Sequence, residues 1–310
     1  TNFPLPEFAF EEMKDWETVR RTYRAILDIF KKHEYKIDYA IKNKPDAQYK
    51  YIHARYNPDT FDEYWEEWGN KQNDTIGCIL FKIGELEHIK GIKILDDEDD
   101  KRIIQKLVHY LESIHYWCDD DNGLWENDEE VHASSIGACL AGLKMIKKNT
   151  DIHVPDHLIE KGENALHLLL PRESKGRFVD MGLLTLIYPY DIVTHKERDE
   201  ILNNVEYHLV KNKGVVRYKN DWYYNKNPDG FSEEAEWTMG LSWLAIIYKK
   251  IGNKEKAEYY EKKALETVSD KGSIPELYFS NTSKYNEHNP LGWAESLFIV
   301  SLYEINKKHG

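Results

Sequence analysis

Apolar residues return every three or four positions along most of this chain, the spacing that gives a helix one buried face. From Trp16 the series runs Val19, Tyr23, Ile26, Leu27 and Phe30. Comparable stretches at 68–89, 99–117, 129–148, 155–170, 196–212, 233–251, 253–268 and 290–307 predict nine or ten helices, with shorter ones near 35–53 and 177–190. Stop signals separate them: Gly91, Asn149–Thr150 with Pro155 beyond, Pro171, and Gly214. The alternation of strands is scarce, and Val215–Tyr224 is the one candidate hairpin. The expectation is a single all-α domain over 1–310.

The connections depart from this regularity. Segments 50–67, 118–128, 213–232 and 272–290 are long and rich in Trp, Tyr, Asn and Asp. Long loops without structure of their own usually carry function. No fixed repeat of 20–50 residues runs through the chain. The stretch 248–265 resembles one tetratricopeptide hairpin, and a lone unit cannot build a solenoid, which disfavours a peptide-binding repeat protein.

Charge narrows the field. Against 42 Lys and Arg stand 55 Asp and Glu, a formal net charge of −13, which opposes attraction to phosphates and disfavours nucleic acid or an anionic membrane as partner. No run of eighteen apolar residues occurs, and the first residues lack a basic-then-apolar signal pattern. The three cysteines form an odd set with no C-x-x-C, which argues against a disulfide framework or a thiolate zinc site. A cytoplasmic enzyme or binding protein without a metal or other cofactor is expected. His153 and His157 are four apart but straddle Pro155, and the Asp119–Asp121 run lacks the spacing of a calcium loop. The run Asp96–Asp100 reads as a solvated first turn of a helix.

The candidate chemistry lies in the loops. In Gly123-Leu-Trp-Glu126 a carboxylate follows a tryptophan. An apolar neighbour disfavours ionisation and keeps an acid protonated near neutral pH. Taken alone, the segment reads first as a helix-capping acid and second as a proton donor. Glu276 follows Pro275, which restricts the backbone on both sides. Glu126 and Glu276, each on an aromatic loop, make the acid and base pair that glycoside hydrolysis needs. The segment Arg217-Tyr-Lys-Asn-Asp221-Trp-Tyr-Tyr224 interleaves charge with aromatics. It suits sugar rings and hydroxyls, or equally a surface hairpin. His53-Ala-Arg55-Tyr-Asn57 and Trp68-Gly-Asn-Lys-Gln72-Asn-Asp74 repeat that chemistry before a helix.

With these segments in series, joined by His132-Ala-Ser-Ser135, Glu236-Trp237, Ile274-Pro-Glu-Leu-Tyr278 and Pro290-Leu-Gly-Trp293, the chain resembles glycoside hydrolase family 15, the glucoamylases. It is similar too to the glucoamylase-like region of the phosphorylase kinase α and β subunits. The likeness covers about 51–304. It implies an (α/α)6 barrel, two concentric rings of six helices with the site formed by loops at the mouth. It implies an exo-acting, inverting α-glucosidase acting on α-glucans or oligosaccharides, with Glu126 as general acid and Glu276 as general base. Trp68, Trp125, Arg217, Tyr218, Asp221 and Trp237 then line the glucose pocket. The alternative it implies is a glucan-sensing or scaffold protein without catalysis.

Two departures stand out. Asn127 replaces a second acidic residue of fungal members, and no Trp-x-Arg-Asp segment precedes residue 51. The second has two readings: one or two N-terminal barrel helices lie outside this chain, or catalysis has been lost. Arg55 with Asn57 and Gln72 with Asp74 are the comparable polar clusters. They are expected either to turn inward beside Glu126 or to leave that side of the pocket open.

Overall fold

The computed structural model describes residues 4–65, 69–89, 92–225 and 233–307. Trp68 and Gly91 lie outside them. The described residues form eleven α-helices: α1 (Pro4–Glu12), α2 (Trp16–Lys32), α3 (Glu34–Lys42), α4 (Asn73–His88), α5 (Glu98–Ile114), α6 (Ala133–Asn149), α7 (Asp156–Leu169), α8 (His195–His208), α9 (Met239–Lys250), α10 (Lys254–Leu265) and α11 (Gly292–Asn306). Single 3₁₀ turns sit at Gln48–Lys50 and Met181–Leu186, and two short strands, β1 (Glu236–Trp237) and β2 (Leu277–Tyr278), pair antiparallel. No helix among the described residues is long and apolar enough to cross a membrane.

The expected helices are present, with three informative differences. Helix α6 starts at Ala133 rather than 129 because Asp121 and Glu130 pair as an antiparallel bridge. Helix α9 starts at Met239 rather than 233 because Glu236–Trp237 is extended and paired. Helix α1 was not expected: nine residues beginning at a proline show too little periodicity, and its place comes from packing. Its Phe8 is buried edge-on to Tyr188, ring centroids 5.9 Å apart.

The chain divides into two compact units. The first, Asp15–Gly176, holds α2–α7. Its centre is the pair α4 and α6, both apolar on nearly every side and buried over most of their length. They meet through glycine: a Cβ at Gly77 would lie 2.3 Å from the Ala138 carbonyl carbon, and one at Gly142 would lie 2.4 Å from the Gly77 carbonyl oxygen. The acidic run does begin α5 through an Asp97 capping box. Asp100, however, is buried rather than solvated, and it takes the Arg24 guanidinium and Lys31 Nζ, the latter at 2.7 Å.

The second unit comprises Asn2–Lys14 and Arg177–Gly310. Here α9 is buried from Met239 through Tyr248 and packs against α10 and α11, while α1 lies on α11. The 215–224 stretch is not a hairpin. Val215 instead pairs outward with Val210 and Trp237, so its backbone groups find partners in other segments.

Replacing Gly77 by Ala tests the α4–α6 contact. Alanine favours an isolated helix by about 1 kcal/mol, but here its methyl meets backbone that cannot swing aside. The variant is expected to lose about 1–3 kcal/mol of stability, read from the urea midpoint, whereas a gain would show that the helices can separate.

Candidate active site

In the first unit, Glu126 stands on the loop between α5 and α6. The Asp121–Glu130 bridge closes the loop's foot with N–O distances of 2.8 and 3.0 Å. Above it the chain curls tightly: the Asn127 N–H donates to the Asn122 carbonyl at 3.0 Å, and Asn122 Nδ2 donates to the Asn127 carbonyl at 2.7 Å. Glu126 itself adopts φ +58°, left-handed for a residue with a side chain. Such backbone costs roughly 1–3 kcal/mol and persists where the surroundings enforce it, as at ligand-binding positions.

The Glu126 carboxylate is paired with the Arg55 guanidinium, both side chains being 21% exposed. Arg55 is delivered by a turn whose Arg55 N–H donates to His53 Nδ1 at 2.9 Å and whose strand-like flanks bridge Tyr56 with Glu63. Burial lowers the His53 pKa, which favours the neutral ring that accepts this bond. Trp125 is 8% exposed, so its indole packs inward beside the acid.

The expectation for the polar clusters divides. Arg55 turns to Glu126. Asn57 serves its own turn, accepting from the Asp59 and Thr60 N–H groups. Gln72 is buried and donates from Nε2 to the Gly123 carbonyl at 3.0 Å, supporting the acid's loop from beneath. Asp74 is buried in the first turn of α4.

In the second unit, three extended pieces lie side by side. Val215 exchanges backbone bonds with Trp237 at 2.9 and 3.0 Å, and Trp237 pairs with Leu277 across β1 and β2. This register places Arg217, Trp237 and Glu276 near one another. Arg217 makes a two-pronged ion pair with Asp221 at 2.7 and 2.8 Å, and Asp221 is fully buried. The guanidinium carbon lies 4.6 Å from the Trp237 ring centroid, 5.0 Å from Tyr223 and 5.7 Å from Tyr218. Asp221 therefore fixes the fork while the rings cover its faces. Trp222, between them in sequence, is 68% exposed.

Glu276 is largely shielded. Its Oε2 accepts from Asn286 Nδ2 at 2.6 Å, and its own N–H donates to the His288 carbonyl at 2.9 Å. Burial raises the carboxyl pKa, opposed by the Asn286 bond and by the charges of His288 and Arg217. Sequence reasoning gave Asn286 no role, although it sits in the same loop ten residues on. Arg177, 3.9 Å from the Tyr218 ring centroid, gave no sequence signal at all. Among the described residues no three His, Cys, Asp or Glu side chains are arranged to hold a metal.

Solved structures define the fold. A wild-type glycosidase superposes with TM-score 0.78 over 97% of this chain and 86% of its own at 16% identity. A bacterial glucoamylase complexed with acarbose gives 0.73 over 97% and 47% at 15% identity. The fold is therefore the all-α (α/α)6 fold of the glucoamylases, as the sequence resemblance implied. The chain belongs to the glycosyl hydrolases family 15, whose pattern it matches over residues 12–306. Curated relatives include the probable phosphorylase b kinase regulatory subunit alpha of Caenorhabditis elegans, 28% identical over 77% of this chain and 23% of that protein. The liver isoform of that subunit from Mus musculus is 26% identical over 81% and 24%. The chain thus spans about a quarter of the length of these relatives.

Asp221→Asn probes the guanidinium clamp. It leaves Arg217 buried opposite a neutral group, and breaking such a pair costs roughly 3–5 kcal/mol. The melting temperature is expected to fall accordingly, and an unchanged value would show that other groups hold the fork.

Proposed function

We propose that this chain is an exo-acting, inverting α-glucosidase of glucoamylase type that releases glucose from the non-reducing ends of α-glucans or oligosaccharides. The observation that carries the reading is the setting of Glu276: a shielded carboxyl with raised proton affinity, beside a guanidinium clamp walled by Trp237, Tyr223 and Tyr218. Flat aromatic faces suit the C–H faces of a sugar ring, and the clamp suits its hydroxyls. A glycosidase variant of the same fold was solved in complex with glucose.

In this mechanism Glu276 takes a proton from water as the water attacks the anomeric carbon, and Glu126 gives a proton to the departing glycosidic oxygen. Substrate entry parts Arg55 from Glu126, and the freed guanidinium turns to sugar hydroxyls. Trp125, Gln72 and Asp74 of the first unit and Arg217, Tyr218, Asp221 and Trp237 of the second serve substrate binding in this reading, directly or by holding the groups that do, and Trp68 joins them by resemblance. Inversion calls for carboxyls roughly 6.5–9.5 Å apart, with water between base and sugar. The substrate is the only partner this reading requires, with no metal, nucleic acid or membrane. We place the enzyme in the cytoplasm as one catalytic domain; three cysteines in an odd set with no C-x-x-C support a reducing compartment.

The second reading, a glucan-binding regulatory domain without turnover, is favoured by the likeness to kinase regulatory subunits and by the ion pair that occupies Glu126. Incubation with maltotriose, followed by proton resonance, separates the two. β-Glucose as first product supports hydrolysis with inversion, and binding without product supports the second reading. Glu126→Gln and Glu276→Gln are each expected to lower kcat by about 10²–10⁴-fold, and full activity in either would remove that residue from its role.

The pH profile adds a sign. The Asn286 bond favours the Glu276 carboxylate, so Asn286→Ala raises the pKa of the base further. The acidic limb of kcat/KM is expected to move to higher pH, and a shift to lower pH would contradict the assignment of Glu276 as base.

A further inference from the structure

The foot of the Glu126 loop is bound to the entry of α4 by a dense set of contacts. The Asn122 N–H donates to the Lys71 carbonyl at 2.8 Å, and the Lys71 N–H returns to Asn122 Oδ1 at 3.1 Å. The Asn73 N–H, first in α4, donates to Asp121 Oδ2 at 2.8 Å, and Asn73 Nδ2 to Asp119 Oδ2 at 3.2 Å. Ser135 Oγ on α6 also reaches Asp121 Oδ2, at 2.9 Å. Asp121 thus joins α4, α6 and the loop through one carboxyl.

Asp121 is fully buried and Asp74, in the first turn of α4, is 6% exposed. Oδ1 of each is sealed from solvent with no hydrogen-bond partner among the described residues. Two buried like charges, each with a bare oxygen, are an unstable arrangement, and a proton on either carboxyl removes the repulsion between them. Among the described residues the nearby lysines are taken up elsewhere. Lys44 and Lys71 both lie on Asp119, at 2.9 and 3.3 Å, where the Tyr51 hydroxyl also donates. Lys71 further reaches Asp120 and Glu129. Cys139 on α6 faces the pair with a neutral thiol, its pKa raised by burial and by the carboxylates themselves. His132, before the first residue of α6, acts on both carboxyls and favours their ionisation.

We propose that Asp74 and Asp121 are positioning residues: a proton held by the pair keeps the Glu126 loop docked on the N-terminus of α4, and its loss loosens that docking. Burial, then the charge of Asp121, pushes Asp74 up to about 7. Burial pushes Asp121 up to about 6, against His132 and the bonds from Asn73 and Ser135. The proton therefore leaves in the neutral range. That the docked loop is the competent state rests on the glucosidase reading; the docking itself does not.

Amide hydrogen exchange of peptides covering 119–131, followed from pH 5 to 9 and corrected for intrinsic exchange, tests the proposal without any turnover. Protection of the wild-type loop is expected to fall as pH rises from 5 to about 7, by at least about tenfold, the factor one pKa unit of linkage represents, and to level off above, while α5 stays constant. In Asp74→Asn and Asp121→Asn that fall is expected to vanish. Protection in the wild type that does not change across this range overturns the proposal, whether or not either variant folds. A fall that persists unaltered in both folded variants overturns it as well.

A stability measurement carries the same sign. The folded chain holds this proton more tightly than an unfolded one, so its contribution is present below about pH 4 and is lost as pH rises through about 7. Asp74→Asn is expected to flatten that decline, and a decline unchanged in the variant counts against the pair. Where turnover is measurable, the alkaline limb of kcat/KM is expected to move to higher pH in Asp121→Asn, and an unmoved limb severs the docking from catalysis. The exchange transition without turnover in any protein supports the docking while overturning the glucosidase reading.

Discussion

Both candidate carboxylates sit on irregular loops, and the constraint behind both is that buried backbone groups in such loops must find partners. Among the described residues the one sheet has only two strands of two residues each. The chain solves this with very short antiparallel pairings. Asp121 with Glu130 closes the loop of Glu126, and the Val215, Trp237 and Leu277 pieces align the segments of Arg217 and Glu276. Each pairing involves only one or two residues, so each depends on the helices that fix its ends.

Those helices are rigid for a specific reason. Helices α4 and α6 touch backbone to backbone through Gly77 and Gly142, an approach that side chains at either position forbid. The first turn of α4 carries Asn73 and Asp74, and the start of α6 carries Ser135. The acid's loop is tied to Asn73 and Ser135 through Asp119 and Asp121. Close helix packing is thus converted into a fixed position for a surface loop, and the left-handed Glu126 backbone is affordable there because nothing around it can relax.

The charged groups follow a consistent logic. Arg217 is buried only together with Asp221, and Asp100 only with Arg24 and Lys31, because a lone charge in either place would be intolerable. Glu126 shares Arg55 at the partly open end of its loop, where solvent still reaches both. Asp74 and Asp121 break the pattern, being two buried acids that each keep an oxygen no described group bonds. A buried exception of that kind is where the protonation state of a protein becomes sensitive to neutral pH.

Much of this was legible in the sequence. Helical periodicity marks almost every long helix, since one face must repeat at 3.6 residues to be buried, and the family's short motifs mark the loops that carry Glu126, Arg217 and Glu276. Arg55 and Asn57 stood in the sequence as a polar cluster either to turn inward beside Glu126 or to leave that side open; Arg55 pairs with Glu126, while Asn57 serves its own turn. Tertiary structure alone decided the rest. The nine-residue α1 is too short to announce itself and exists because Phe8 is covered. The starts of α6 and α9 were displaced by partners more than a helical turn away in sequence, which no local pattern encodes. Asp100 reads as one more solvated acid in a run of five, and only the arrival of Arg24 and Lys31 from α2 makes it a buried one. Asn286 and Asp121 are ordinary polar residues until folding brings a carboxyl or a helix end within hydrogen-bond reach, because periodicity reports which face is buried and not which distant group will meet it.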